Sequence, residues 1–285
     1  VSNISRPIPV AIPVGENEIT HGFFYQPRNA SFVGPSDALP PLIVKCHGGP
    51  TGQTSAALNL KTQYWTTRGF AVLDVNYRGS SGYGRAYREK LNGKWGLVDV
   101  EDCVSGANWL AAKGWVDRDC MAISGNSAGG YTTLCAITFE DCFSAGASYY
   151  GIGDLSELAK ETHKFESSYL DTLIGTLKEE NQNFSDRSPI KFVEMLTCPV
   201  IFFQGLEDKV VPPSQAESMV AALRKNGIPV AYLPFLDEGH GFRQSANIKR
   251  AIEGELYFYG RVFGFQPADD IPTLSIENAK GLNRE

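Results

Sequence analysis

The sequence predicts an α/β protein built on a mostly parallel, doubly wound sheet with helices on both faces. Three observations lead there. From about residue 40 onward, short apolar runs alternate with amphipathic stretches of about a dozen residues, the signature of strand and crossover-helix units. The opening segment lacks helical periodicity, which suits antiparallel edge strands. The composition, 42% hydrophobic and 20% charged over 285 residues, is enough to bury a large core.

In order, residues 41–46 read as a buried strand and 57–67 as a helix; 70–75 is the next strand. The helix over 98–113 carries Asp99, Glu101 and Asp102 in its first turn, where the helix dipole favours acids. A strand at 120–124, a helix at 128–139 and a strand at 143–149 follow. The series closes with 200–203, 214–226, 230–235 and 246–263, alternating strand and helix. Residues 1–40 form an N-terminal edge segment with its clearest strand at 19–26; 151–189 breaks the pattern and reads as an insertion over the carboxyl edge of the sheet. The tail at 266–285 is expected to be loosely ordered, and the whole of 1–285 to be a single domain.

Several function classes are disfavoured. The net charge is −6 and no Lys/Arg block occurs, so no nucleic-acid partner is expected. No apolar run approaches the roughly 18 residues of a membrane span, and no signal pattern opens the chain, so no membrane partner is expected. The cysteines (Cys46, Cys103, Cys120, Cys135, Cys142 and Cys198) form no CxxC pair and no zinc spacing. They read as buried thiols in a reducing cytoplasm, with no metal and no cofactor. The segment from Gly79 to Gly84 is glycine-rich, but its spacing fits neither phosphate nor dinucleotide loops. No helix is expected directly after it, and it reads as a flexible loop near the site.

Gly125-Asn126-Ser127-Ala128-Gly129 is a G-x-S-x-G elbow between an apolar strand and a helix. The spacing serves chemistry: the Ser hydroxyl must project from a strained turn, and side chains two residues either side would collide with neighbouring elements. Ser127 is therefore the candidate nucleophile. His47-Gly48-Gly49-Pro50 follows the strand ending at Cys46. Backbone N–H groups hold the negative charge that acyl transfer builds on oxygen; one donor would be the amide of Ala128 and the other Gly48 or Gly49, with Gly49 favoured. His47 reads as a brace for this loop. Downstream of Ser127 there are two histidines, His163 and His240. His240 follows a strand at the carboxyl edge of the sheet, where ligands bind, and is the candidate base. Glu207 and Asp208 both occupy a suitable loop for the acid, while Asp237 and Glu238 are suited to shaping the His240 loop.

These motifs, together with Asn76-Tyr-Arg-Gly-Ser-Ser-Gly-Tyr-Gly84, Gly205-Leu-Glu-Asp208 and Glu238-Gly-His240-Gly-Phe, resemble the catalytic domain of prolyl oligopeptidase-family serine peptidases. The acylaminoacyl-peptidase and dipeptidyl-aminopeptidase-like branch is the nearest in kind. The resemblance covers about Glu18 to Phe265 and implies an α/β-hydrolase fold. It also implies Asp208 as the triad acid, Gly49 and Ala128 as the oxyanion hole, and Phe165 and Tyr169 walling a first specificity pocket with Tyr149 and Tyr150 nearby. The implied substrates are short peptides, N-acylated or dipeptidyl, cleaved through an acyl-enzyme. A carboxylesterase or small-amide hydrolase is the alternative, and a binding module that kept the fold is another. Two departures stand out. About forty residues precede the first central strand, so the family's β-propeller is expected to be absent, leaving an open site, a fragment or a homo-oligomer. Asn126 also replaces the small residue more usual before the Ser.

Overall fold

Strand alternation sorts this chain into two cores. In the computed structural model, which describes residues 2–161, 164–176 and 181–282 and leaves the side chains of 161, 164–168, 181 and 281 undescribed, eight strands form one sheet. They are β1 (Ile8–Val14), β2 (Glu18–Tyr25), β3 (Leu42–Cys46), β4 (Ala71–Asn76), β5 (Met121–Asn126), β6 (Ala145–Tyr149), β7 (Val200–Gly205) and β8 (Val230–Phe235). Their order across the sheet is β1-β2-β4-β3-β5-β6-β7-β8. Both pairings of β2 are antiparallel and every later pairing is parallel. This is the predicted doubly wound, α/β-hydrolase arrangement with an antiparallel edge.

The helices are α1 (Leu60–Thr66), α2 (Arg85–Glu89), α3 (Val98–Ala112), α4 (Ala128–Phe139), α5 (Leu155–Glu161), α6 (Lys164–Leu173), α7 (Asn181–Asp186), α8 (Pro213–Lys225) and α9 (Ser245–Phe263). Successive strand residues point to opposite faces. Leu42, Val44 and Cys46 therefore join Met121 and Ile123 in one core with residues of α3, α4 and α8. Ile43, Val72 and Ala122 join Trp65 of α1 and Phe258 of α9 in the other. Central strands buried on both faces explain the near-continuous apolar runs in the sequence.

Three expectations need correction. Helix α2 starts directly after Gly84, where no helix was expected; Gly84 takes φ 87°, which lets the chain turn sharply into it. The insertion is helical where described, because Leu155, Leu158, Leu170, Leu173 and Phe184 supply an apolar side buried on the α4 core. The described part of the tail, residues 267–282, is pinned rather than loose. Glu277 exchanges backbone hydrogen bonds with Val230 at 2.8 and 3.1 Å and pairs with Arg224, and Asp269 pairs with Arg68.

The loop after β4 is tied to α3 by a buried ion pair. Asp102 accepts from the Arg78 backbone N–H at 2.6 Å and from its Nε at 2.9 Å, with side-chain exposures of 0% and 9%. The guanidinium also reaches the half-exposed Glu101 at 2.6 Å, so removing Asp102 leaves a buried cation with only a solvent-screened partner and an unsatisfied Arg78 N–H. Asp102→Ala is expected to lower stability by about 3–5 kcal/mol, read as a fall in urea midpoint at unchanged slope. A loss below about 1 kcal/mol would contradict this role.

Candidate active site

The turn from β5 into α4 is shaped by two close backbone approaches. A Cβ on Gly125 would run into the carbonyl of Gly129, and one on Gly129 into the carbonyl oxygen of Cys46. Only glycine fits at either place. Between them Ser127 is held at φ 56°, ψ −122°, a conformation L-residues avoid and the surroundings must impose. Its N–H donates to the Tyr149 carbonyl at 2.9 Å and its own carbonyl accepts from Tyr131 N–H at 3.0 Å. The side chain is left projecting beyond the carboxyl edge of the sheet.

His240 and Asp208 reach that point from the loops after β8 and β7. The loops touch through Gly205, where a Cβ would collide with the Glu238 carbonyl. Glu238 braces the His loop by accepting from the N–H groups of Arg243 and Gln244, both at 2.9 Å; this is the shaping role the sequence suggested. His240 Nδ1 lies 2.7 Å from Asp208 Oδ2, and Nε2 lies 2.8 Å from Ser127 Oγ. A carboxylate only accepts, so Nδ1 carries the proton and Nε2 is free to accept from the serine hydroxyl. Asp208 is 4% exposed, and its Oδ1 accepts from the N–H groups of Val210 and Val211 at 2.9 Å each. Glu207, its sequence competitor, is exposed. His163 lies outside the described residues.

His47 faces away from this chain of hydrogen bonds. Its Nδ1 donates to the Gly48 carbonyl at 2.8 Å, Nε2 accepts from Ser80 Oγ at 2.7 Å, and the ring stacks on Tyr77. Burial pushes its pKa down, so it stays neutral as a brace, as expected. Gly49 has φ 131°. Ala128 is the first residue of α4, where backbone N–H groups have no partner inside the helix. Gly49, Ser127 and Ala128 border one cavity of about 110 Å³ whose other walls are mainly apolar: Trp95, Ile152, Leu158, Leu170, Leu173 and Val211.

Tyr169 lines that cavity too, and its hydroxyl lies 2.7 Å from Thr51 Oγ1. The other pocket expectations fare differently. Tyr149 stacks on Phe203 and donates to Glu255 Oε2 at 2.6 Å in the opposite core, away from the apolar cavity. Strand alternation after Ser148 turns it there. Tyr150 packs edge-on against His240, 4.9 Å between ring centroids; burial and then the Asp208 charge push its phenol up to about 12. The side chain of Phe165 lies outside the described residues, although its backbone is in α6. Trp95, Ile152 and Val211 were not singled out from the sequence, since isolated apolar residues on separate loops carry no periodic signal.

Comparison with known proteins points to one family. Residues 56–266 match the family model described as prolyl oligopeptidase family. The chain is 32% identical over 249 residues to dipeptidyl aminopeptidase BIII of Pseudoxanthomonas mexicana, covering 85% of this chain and 36% of that one. It is 31% identical over 211 residues to the acylamino-acid-releasing enzyme of Arabidopsis thaliana, covering 70% and 27%. Among solved structures, a puromycin hydrolase superposes with TM-score 0.94 at 43% identity, covering 96% of this chain and 42% of that one. A puromycin-hydrolyzing peptidase of Mycobacterium tuberculosis gives 0.95 at 45%, covering 97% and 42%. The chain thus spans well under half the length of these relatives. With a matching family model over most of its length and a shared fold, the chain belongs to the prolyl oligopeptidase family.

Proposed function

We propose that this chain carries the catalytic centre of a serine peptidase that cleaves short peptides through an acyl-enzyme on Ser127. The observation that carries the reading is the hydrogen-bond chain from Asp208 through His240 to Ser127, at 2.7 and 2.8 Å. The Ser127 hydroxyl passes its proton to His240 Nε2 as Oγ bonds to the scissile carbonyl carbon. Asp208 fixes the tautomer and stabilises the imidazolium. The N–H groups of Gly49 and Ala128 donate hydrogen bonds to the developing oxyanion. His240 then protonates the leaving amine as the C–N bond breaks, and water repeats the sequence to free the acid and the serine.

The apolar cavity beside Ala128 takes the side chain of the residue whose carbonyl is attacked. The relatives' names (dipeptidyl aminopeptidase, acylamino-acid-releasing enzyme and puromycin hydrolase) support peptides and aminoacyl amides as the substrate class. The chain is read as one catalytic domain over 1–285 with 151–189 as its insertion. The six free thiols support a reducing compartment such as the cytoplasm. No helix among the described residues is long and apolar enough to cross a membrane.

Initial rates on a free-amino peptide anilide, its N-acylated twin and a nitrophenyl ester test the chemistry. Serine-dependent anilide cleavage is expected, and Ser127→Ala is expected to abolish it with the fold intact; turnover within about tenfold of wild type would remove Ser127 from the reaction. Asp208→Asn keeps the shape but misdirects the imidazole, and kcat is expected to fall by about 10⁴. For the apolar cavity, Ile152→Trp is expected to lower kcat/KM on leucyl and phenylalanyl anilides by about tenfold or more, and on alanyl anilides by less. An equal fall on all three would separate this cavity from specificity.

A further inference from the structure

A second hollow, of about 360 Å³, lies between α1 and α9 on the other face of the sheet. Its floor is a polar row: Asp74, Lys45 and Ser124 are direct neighbours across β4, β3 and β5. They point to the same face as Val72, Ile43 and Ala122, two residues earlier on each strand. Lys61 enters at the rim from α1 and Glu255 from α9. At one end the hollow is bordered by Asn126, Tyr150 and Gly241. Asn126 precedes Ser127 and Gly241 follows His240, whereas Ala128 borders the apolar cavity. The two hollows therefore meet the chain on either side of Ser127 in sequence, and this one also borders the residue that follows His240.

The charges in it are unevenly partnered. Asp74 Oδ2 accepts from Thr54 Oγ1 at 2.6 Å, and Glu255 accepts from Tyr149 and Tyr259 at 2.6 and 2.8 Å. Among the described residues, the ion pairs leave out Lys45 and Lys61. Desolvation, and then the neighbouring Lys45, push the Lys61 pKa down against the opposing pull of Glu255. Lys45 lies opposite Asp74 on the next strand. Both carboxylates stay beyond ion-pair distance and are already engaged by hydroxyl donors. Two adjacent cations without an ion-pair partner at the floor and rim of a cleft favour an anion.

We propose that this hollow receives the leaving half of the peptide, and that Lys45 and Lys61 bind its terminal carboxylate. The inference rests on Ser127 being the nucleophile. The reach is suitable. Ser124, beside Lys45, precedes Ser127 by three residues, about 10 Å along a strand; a two-residue leaving group spans about 7 Å, and the lysine stem covers the rest. The enzyme then favours peptides whose scissile bond lies one or two residues from a free carboxyl end.

Two peptides with the same acyl half, one ending in Gly-Gly carboxylate and the other in Gly-Gly amide, test this beside an anilide of that acyl half. The acid is expected to exceed the amide by about tenfold or more in kcat/KM, chiefly through KM. That ratio is expected to fall toward one in Lys61→Gln and Lys45→Met, and to survive in Lys61→Arg. Equal rates on acid and amide, or a ratio unmoved in both neutral variants, overturn the carboxylate clamp. Ser127-dependent anilide cleavage reports separately on the underlying reading. If none of the three substrates is cleaved, that reading fails and the clamp with it.

Discussion

The close approach of α4 to β3 organises this site. Because Gly129 has no side chain, the first turn of α4 sits directly on the carbonyl of Cys46, the last residue of β3. That contact brings the serine, the N-terminal amides of α4 and the loop beginning at His47 into one packed unit. Both candidate oxyanion donors are then set by backbone, which cannot change rotamer, and the fold holds the Ser127 backbone in a strained conformation from which its side chain projects. Preorganisation of this kind lets dipoles act on a developing charge without reorganising first.

Around that unit the loops are braced from behind. Arg78 and Asp102 fix the chain after β4, and Ser80 of the same loop holds His47, whose carbonyl also accepts from Tyr77 at 3.0 Å. On the other side Gly205 lets the β7 and β8 loops meet, and Glu238 locks the segment that presents His240. The buried charges here are structural, whereas Asp208 has one oxygen held by backbone amides and the other directed at the imidazole. The backbone donors on Asp208 and the partial exposure of His240 suit an acid that orients the imidazole beside a base that must exchange protons with substrate.

Much of this was legible in the sequence because it depends on local rules. The strand–helix alternation, the elbow glycines and the paired loops after β7 and β8 each leave a short-range pattern. Asp208 over Glu207 was decided in the sequence only by resemblance; burial now separates them physically. What could not be read depends on which face or distant element a side chain meets. Tyr149 and Tyr150 are adjacent aromatics, yet one belongs to the α9 core and the other packs on His240. The apolar cavity draws Trp95, Ile152 and Val211 from three separate loops. The tail lacks a helical period because it is held at scattered points: a bridge at Glu277, ion pairs at Asp269 and Glu277, and Ile271, Leu274 and Ile276 packed on the α9 core.

The most direct test of the central assignment is covalent. The chain would be treated with a fluorophosphonate, which phosphonylates activated serines, and the labelled peptide identified by mass mapping. Stoichiometric modification of Ser127 alone, suppressed in His240→Ala, is the expected result. Labelling elsewhere, or none at Ser127 in a folded sample, would contradict the claim that this turn holds an activated nucleophile.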